Sequence, residues 1–171
     1  MDRRILTFAF LIPALLAGCM AVPMTPTEYR TATKKGEGLS MYESFVVKRP
    51  VAEVGQTFRK KADECLNLAI GSQNKPLIGF AGSVHYYGQV IPTVTTSGSR
   101  AELHLQVKYK NQVGPIPQNG MYYFVADAYP NGKGATRVDI YRRTKFATVA
   151  EAVKGWASGQ NMGCPDPHSF L

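Results

Sequence analysis

The sequence lacks the short motifs that mark most familiar catalytic machinery. It holds no GxSxG elbow, no HExxH pair and no glycine loop of the phosphate-cradling kind. Gly79-Phe80-Ala81-Gly82-Ser83 reads as a glycine-containing strand rather than a nucleophile elbow. No internal repeat or low-complexity tract occurs. Histidine is scarce, with only His85, His104 and His168. His85 and His104 fall on the solvent faces of predicted strands, and their spacing to Glu102 or Asp127 is not diagnostic of a metal site. There are three cysteines, and neither Cys65 nor Cys164 has a further ligand at CxxC-type spacing. A hydrolase and a metal-binding protein are therefore the weaker readings: no catalytic residue, metal or cofactor is expected. Acidic residues are also few, 12 against 20 basic ones, for a formal charge of +8. That balance suits anionic partners.

What is present suits one domain with a real core: 171 residues, 44% hydrophobic and 19% charged, a globular rather than disordered composition. Arg3 and Arg4 precede an apolar stretch from Ile5 to Leu16, broken only by Thr7 and Pro13, and Ala17 and Gly18 lead into Cys19. This is the layout of a secretory signal peptide. The run is shorter than the roughly 20 residues that cross a bilayer as a helix. Its ending, Leu16-Ala17-Gly18-Cys19, resembles the lipobox of bacterial lipoproteins. The resemblance implies a signal peptide over 1–18, diacylglycerol on the Cys19 sulfur, and acylation (palmitate or similar) of the amino group freed by cleavage. Two or more acyl chains make a stable anchor, at about 0.8 kcal/mol per buried methylene, so a lipid bilayer is the first expected partner. Met20, in place of Asp, implies outer-membrane rather than inner-membrane sorting by the family's pattern in enteric bacteria, with the chain facing the periplasm. The other reading is an ordinary cleaved signal with an incidental cysteine. The resemblance covers only the first twenty or so residues, and residues 39–171 carry no signature of a named family.

Residues 19–38 are expected to be a flexible tether, since Ala21 to Gly38 has two prolines, four threonines and little apolar periodicity. The domain proper is expected over 39–171. Its pattern predicts an α+β fold, strand-helix-(four or five antiparallel strands)-helix, with one curved sheet packed on two helices. The first strand contains Phe45, Val46 and Val47. Val51, Val54, Phe58, Ala62, Cys65 and Ala69 then recur at helical spacing, predicting one helix that ends near Gly71. Arg100 to Lys110 alternates, with Ala101, Leu103, Leu105, Val107 and Tyr109 inward and Glu102, His104 and Gln106 on a solvated face. Asn131-Gly132 marks a hairpin, with Ala128 facing Thr136, Ala126 facing Val138, and Asp127 opposite Arg137. Thr148 to Glu151 fits a capping box at the start of the last helix.

With Cys19 assigned to lipid, Cys65 and Cys164 remain as an even pair in an oxidising compartment. A disulfide is predicted between them; two buried free thiols are the alternative. Two binding surfaces are expected. On the inner face, Tyr86, Leu105, Phe124, Ile140, Val153 and Trp156 line a hydrophobic-ligand pocket if the layout is of helix-grip type, or simply fill the core. On the outer face, Tyr123, Tyr129, Arg137, Tyr141 and Arg143 form a partner-binding surface, or an ordinary solvated one. Tyrosine and arginine are favoured at interface centres. An envelope protein or an anionic envelope polymer is the expected partner; nucleic acid is not, in that compartment. The leading expectation is a lipid-anchored binding or envelope-assembly component, and a hydrophobic-ligand carrier is the second.

Overall fold

The computed structural model describes residues 22–71, 75–76, 83–84, 87–110 and 116–167. Cys19 and the rest of 1–21, His85, Tyr86, residues 111–115 and His168 lie outside the described residues. The architecture is α+β. In chain order the elements are α1 (Pro26–Lys34), β1 (Ser40–Val47), α2 (Val51–Lys61), β2 (Leu68–Gly71), β3 (Lys75–Pro76), β4 (Ser83–Val84), β5 (Tyr87–Ser97), β6 (Arg100–Tyr109), β7 (Met121–Pro130), β8 (Thr136–Arg143) and α3 (Ala147–Ala157). Six strands form one open antiparallel sheet in the order β1-β8-β7-β6-β5-β2, and β3 pairs with β4 separately.

The inner face follows from period-two alternation. Leu103 and Leu105 of β6, Phe124 and Ala126 of β7, and Val138 and Ile140 of β8 are all fully buried. They meet Val54 and Phe58 of α2 and Val149, Val153 and Trp156 of α3 in one cluster. Each large side chain so buried contributes about 1.5–3 kcal/mol. Arg49 ties the two helices together, donating to the Trp156 and Ala157 carbonyls at 2.9 and 3.1 Å. A cation there also offsets the negative end of α3. Cys65 and Cys164 are disulfide-bonded, with Cα atoms 5.0 Å apart.

Five local expectations change. Residues 26–34, expected within a tether, form α1. Thr25 caps it by accepting from the Glu28 amide at 3.1 Å, Pro26 fits the first turn, and the Glu28 carboxylate accepts from the Met24 amide at 2.7 Å. A helix of nine residues is marginal alone; it persists because Tyr29 and Thr33 are buried on the sheet's outer face. The helix expected to run to Gly71 instead passes through a π turn at Ala62–Leu66, which buries both Cys65 and Leu66. Leu68–Gly71 then pairs with β5 as the sixth strand. The β7–β8 hairpin is shifted by two residues: Ala126 faces Ile140, Ala128 faces Val138, and Asp127 faces Asp139 rather than Arg137. The loop is Asn131 to Ala135, with Gly132 and Gly134 at positive φ and the Asn131 amide donating back to the Ala135 carbonyl. An even shift keeps every side chain on its face. Thr148 lies inside α3 rather than at its N-cap, because a 3₁₀ turn at Thr144–Phe146 leads into the helix and Phe146 takes the cap position.

The fifth change is a bulge. Leu105 pairs with Phe124 but Gln106 pairs with Tyr122, so Tyr123 is the extra residue. Alternation is broken there, and Tyr122 takes the outer position that Tyr123 was expected to hold.

Candidate functional site

The outer face is built in rows across the sheet. One row runs Ser44, Asp139, Asp127, Glu102 on β1, β8, β7 and β6. Facing carboxylates destabilise a sheet unless each is matched, and each one is. Asp127, fully buried, accepts from Arg30 of α1 at 2.6 and 2.8 Å and from Arg100 at 2.8 Å. Asp139 accepts from Ser44 at 2.6 Å and from Arg137 at 3.2 Å. Glu102 accepts from Arg30, from Arg100 at 3.2 Å and from His104 Nδ1 at 3.1 Å. The solvated strip expected at Glu102, His104 and Gln106 is therefore covered: His104 and Gln106 are buried, and Gln106 donates to the Gly120 carbonyl at 2.9 Å.

The hydrogen bond from His104 and the Arg30 guanidinium hold the Glu102 carboxyl down to about 2, from an ordinary 4.5. A carboxyl whose folded value is depressed stabilises the fold fully above its unfolded value, and that stabilisation is lost as pH falls through the folded one. The stability difference between wild type and Glu102→Gln should thus be constant above about pH 5 and shrink between about pH 4.5 and 2. Denaturant unfolding across that range checks this; a gap that persists unchanged at pH 2 contradicts it.

The next row runs Val46, Arg137, Tyr129, with Arg100 beside Tyr129 at the start of β6. The guanidiniums of Arg100 and Arg137 lie 5.1 and 5.3 Å from the Tyr129 ring centre, one from each neighbouring strand. Arg137 keeps half of its side chain in solvent (50%), and Tyr129 is half-buried. The other three expected partner residues are not available in the same way. Tyr141 is 2% exposed, beneath α1 with Tyr29, Tyr122 and Val125. Tyr123 packs against the inner cluster, 5.4 Å from the Phe146 ring, and Arg143 is half-buried over it at 5.8 Å. Burial pushes the phenols of Tyr29 and Tyr141 up. The structure instead adds two exposed residues of β1, Val46 opposite Arg137 and Tyr42 opposite Tyr141. Sequence reading missed Arg30 and Tyr29 because both were assigned to the tether; the Thr25-Pro26-Thr27-Glu28 run was the available signal.

Of the expected pocket residues, Leu105, Phe124, Ile140, Val153 and Trp156 are fully buried in the core cluster, and Tyr86 lies outside the described residues. A groove of about 540 Å³ lies elsewhere, between the start of α2 and the two hairpin turns, lined by residues including Pro50, Ala52, Arg59, Thr96, Arg100 and Gly132. No protein-family model matches the chain, and no curated protein matches it significantly.

Proposed function

We propose that this chain is a lipid-anchored, periplasm-facing lipoprotein of the outer membrane that binds an envelope protein or an anionic envelope polymer through the sheet face around Tyr129 and Arg137. The observation that carries the binding half is the Val46–Arg137–Tyr129 row, where an exposed guanidinium, an aromatic ring and an apolar edge residue are presented on rigid strands. Such groups supply the strongest contacts at many interfaces. The anchor half rests on Leu16-Ala17-Gly18-Cys19, and the Cys65–Cys164 disulfide supports an oxidising compartment. On this reading only five residues, Met20 to Met24, separate Cys19 from the Thr25 cap. The domain then sits at most about 20 Å from its anchor, not on a long tether. The carrier reading has no observation in its favour, since the five described residues meant to line its cavity fill the core.

The test is a photocrosslinking side chain at position 129 in living cells, with and without Arg137→Glu, alongside the intact mass of the membrane-extracted protein. An acylated mass beginning at Cys19, with an adduct at 129 that Arg137→Glu weakens at least tenfold, is the expected result. An adduct indifferent to the charge reversal removes the binding half, and an unacylated chain removes the anchor.

A further inference from the structure

We infer that β1 is a docking edge that takes an acidic, extended segment of a partner protein as a further strand of the sheet. The inference rests on the proposal that the chain is a binding component, and supplies the partner's chemistry; it does not depend on the lipid anchor.

β1 is one end of the six-stranded order, and among the described residues no strand pairs with its free side. The opposite end, β2, has only four residues, whereas β1 has eight, paired with β8 without a register break. The devices that usually blunt an edge are missing from it: no proline, no bulge, and one charge, Glu43. Glu43 is already taken by Lys154 at 2.6 Å and Arg142 at 3.1 Å. Exposed apolar groups gather here instead. Of the six large hydrophobic side chains exposed among the described residues, Leu39, Met41, Tyr42 and Val46 lie on or beside this strand.

The backbone is oriented for pairing. The Thr144 amide donates to the Leu39 carbonyl, across a position one step beyond the Ser40–Arg143 pair. In an antiparallel ladder, bonded and non-bonded pairs alternate. Leu39, Met41, Glu43 and Phe45 therefore bond toward β8, while Tyr42, Ser44 and Val46 aim their amides and carbonyls at the open side. A strand added there gains main-chain hydrogen bonds, with side-chain contacts at alternate positions.

Charge selects the occupant. Lys34, Lys48 and Lys145 are exposed around the strand, with Lys34 only 5.3 Å from the Tyr42 ring centre, while Arg137 is already paired with Asp139. The nearby carboxylates Glu43 and Asp139 are matched by their own cations and serine. A second copy would set one basic rim against another in a chain of formal charge +8, and such like-charge contact suppresses pairing. An acidic strand completes both the hydrogen bonds and the charge.

The test uses the full-length protein in detergent micelles with two capped octapeptides, (Val-Glu)₄ and (Val-Lys)₄, read by amide hydrogen exchange. The acidic peptide should slow exchange at Tyr42, Ser44 and Val46 at least tenfold, and the lysine peptide should not. Val46→Pro removes an outward amide and no ladder bond, so it should weaken binding at least tenfold with its melting temperature kept; Val46→Thr, which keeps the amide, should bind normally. Protection by neither peptide, or equally by both, overturns the inference, as does self-association that Val46→Pro abolishes. Should the peptides fail while crosslinking from position 129 survives, the Tyr129/Arg137 face stands and strand addition falls; loss of both removes the binding reading itself.

Discussion

Replacing Asp127 with alanine is expected to destabilise the fold by about 3–5 kcal/mol, the range for deleting one partner of a buried ion pair. Asp127 is fully buried and receives three donated bonds, two from Arg30 and one from Arg100. Without it, Arg30 keeps Glu102 but its Nε is left in a largely dry site with no carboxylate to meet it. The loss arises from the stranded cation more than from the value of the pair itself. Arg30→Met placed on top of Asp127→Ala should therefore recover part of the deficit, because an apolar replacement removes the stranded charge. In a domain of this size the single change should lower Tm by about 6–20 °C. Denaturant unfolding of wild type, the two singles and the double closes the cycle. A loss under about 1 kcal/mol for Asp127→Ala, or additive effects in the double, sinks this account.

Cys164→Ala should cost about 2–5 kcal/mol, with the chain-entropy limit near 4.7 for a closed loop of this length. The bond joins positions 99 apart, the π turn after α2 and the segment after α3. Cys164 is the better site to change, because Cys65 is buried in the core and its loss would add a packing defect. Other bonds hold the tail partly in place: the Trp156 indole donates to the Met162 carbonyl at 3.1 Å, and Met162 packs on Gly155. The lower half of the range is thus expected in practice. The check is the unfolding midpoint of Cys164→Ala beside that of reduced, alkylated wild type. Both should fall together; an unchanged midpoint in the two would mean that the crosslink adds nothing to the fold.

The inner half of the molecule was legible because its periods are regular. Leu103, Leu105, Phe124 and Ile140 follow strand alternation, Val54 and Phe58 follow helical spacing, and all are buried where those patterns put them. The pairing of Cys65 with Cys164 came from the lipobox resemblance and cysteine parity rather than from periodicity. The errors fall where local and distant preferences compete. The LAIG stretch continues the helical stripe through Ala69, yet the edge of β5 gives Leu68–Gly71 a strand partner that no local window contains. Asp127 opposite Arg137 satisfied charge pairing within the hairpin, but the true ligand of Asp127 is Arg30, 97 residues away. Tyr123 left its expected face because a bulge has no period to reveal it. Half of the candidate site was therefore readable, Tyr129 and Arg137, and the other half, Tyr42 and Val46, depended on which strand ends up outermost.

α1 has a consequence in time. Its nine residues precede the rest of the fold, yet the floor they rest on includes β7 and β8 as well as β1. Too short to persist alone, α1 has to wait until strands made about a hundred residues later have closed. Until that moment Asp127 faces Asp139 without Arg30 above it, and Tyr141 and Val125 are open to water. Docking of α1 therefore follows closure of those strands, and it turns an unsealed sheet surface into an interior.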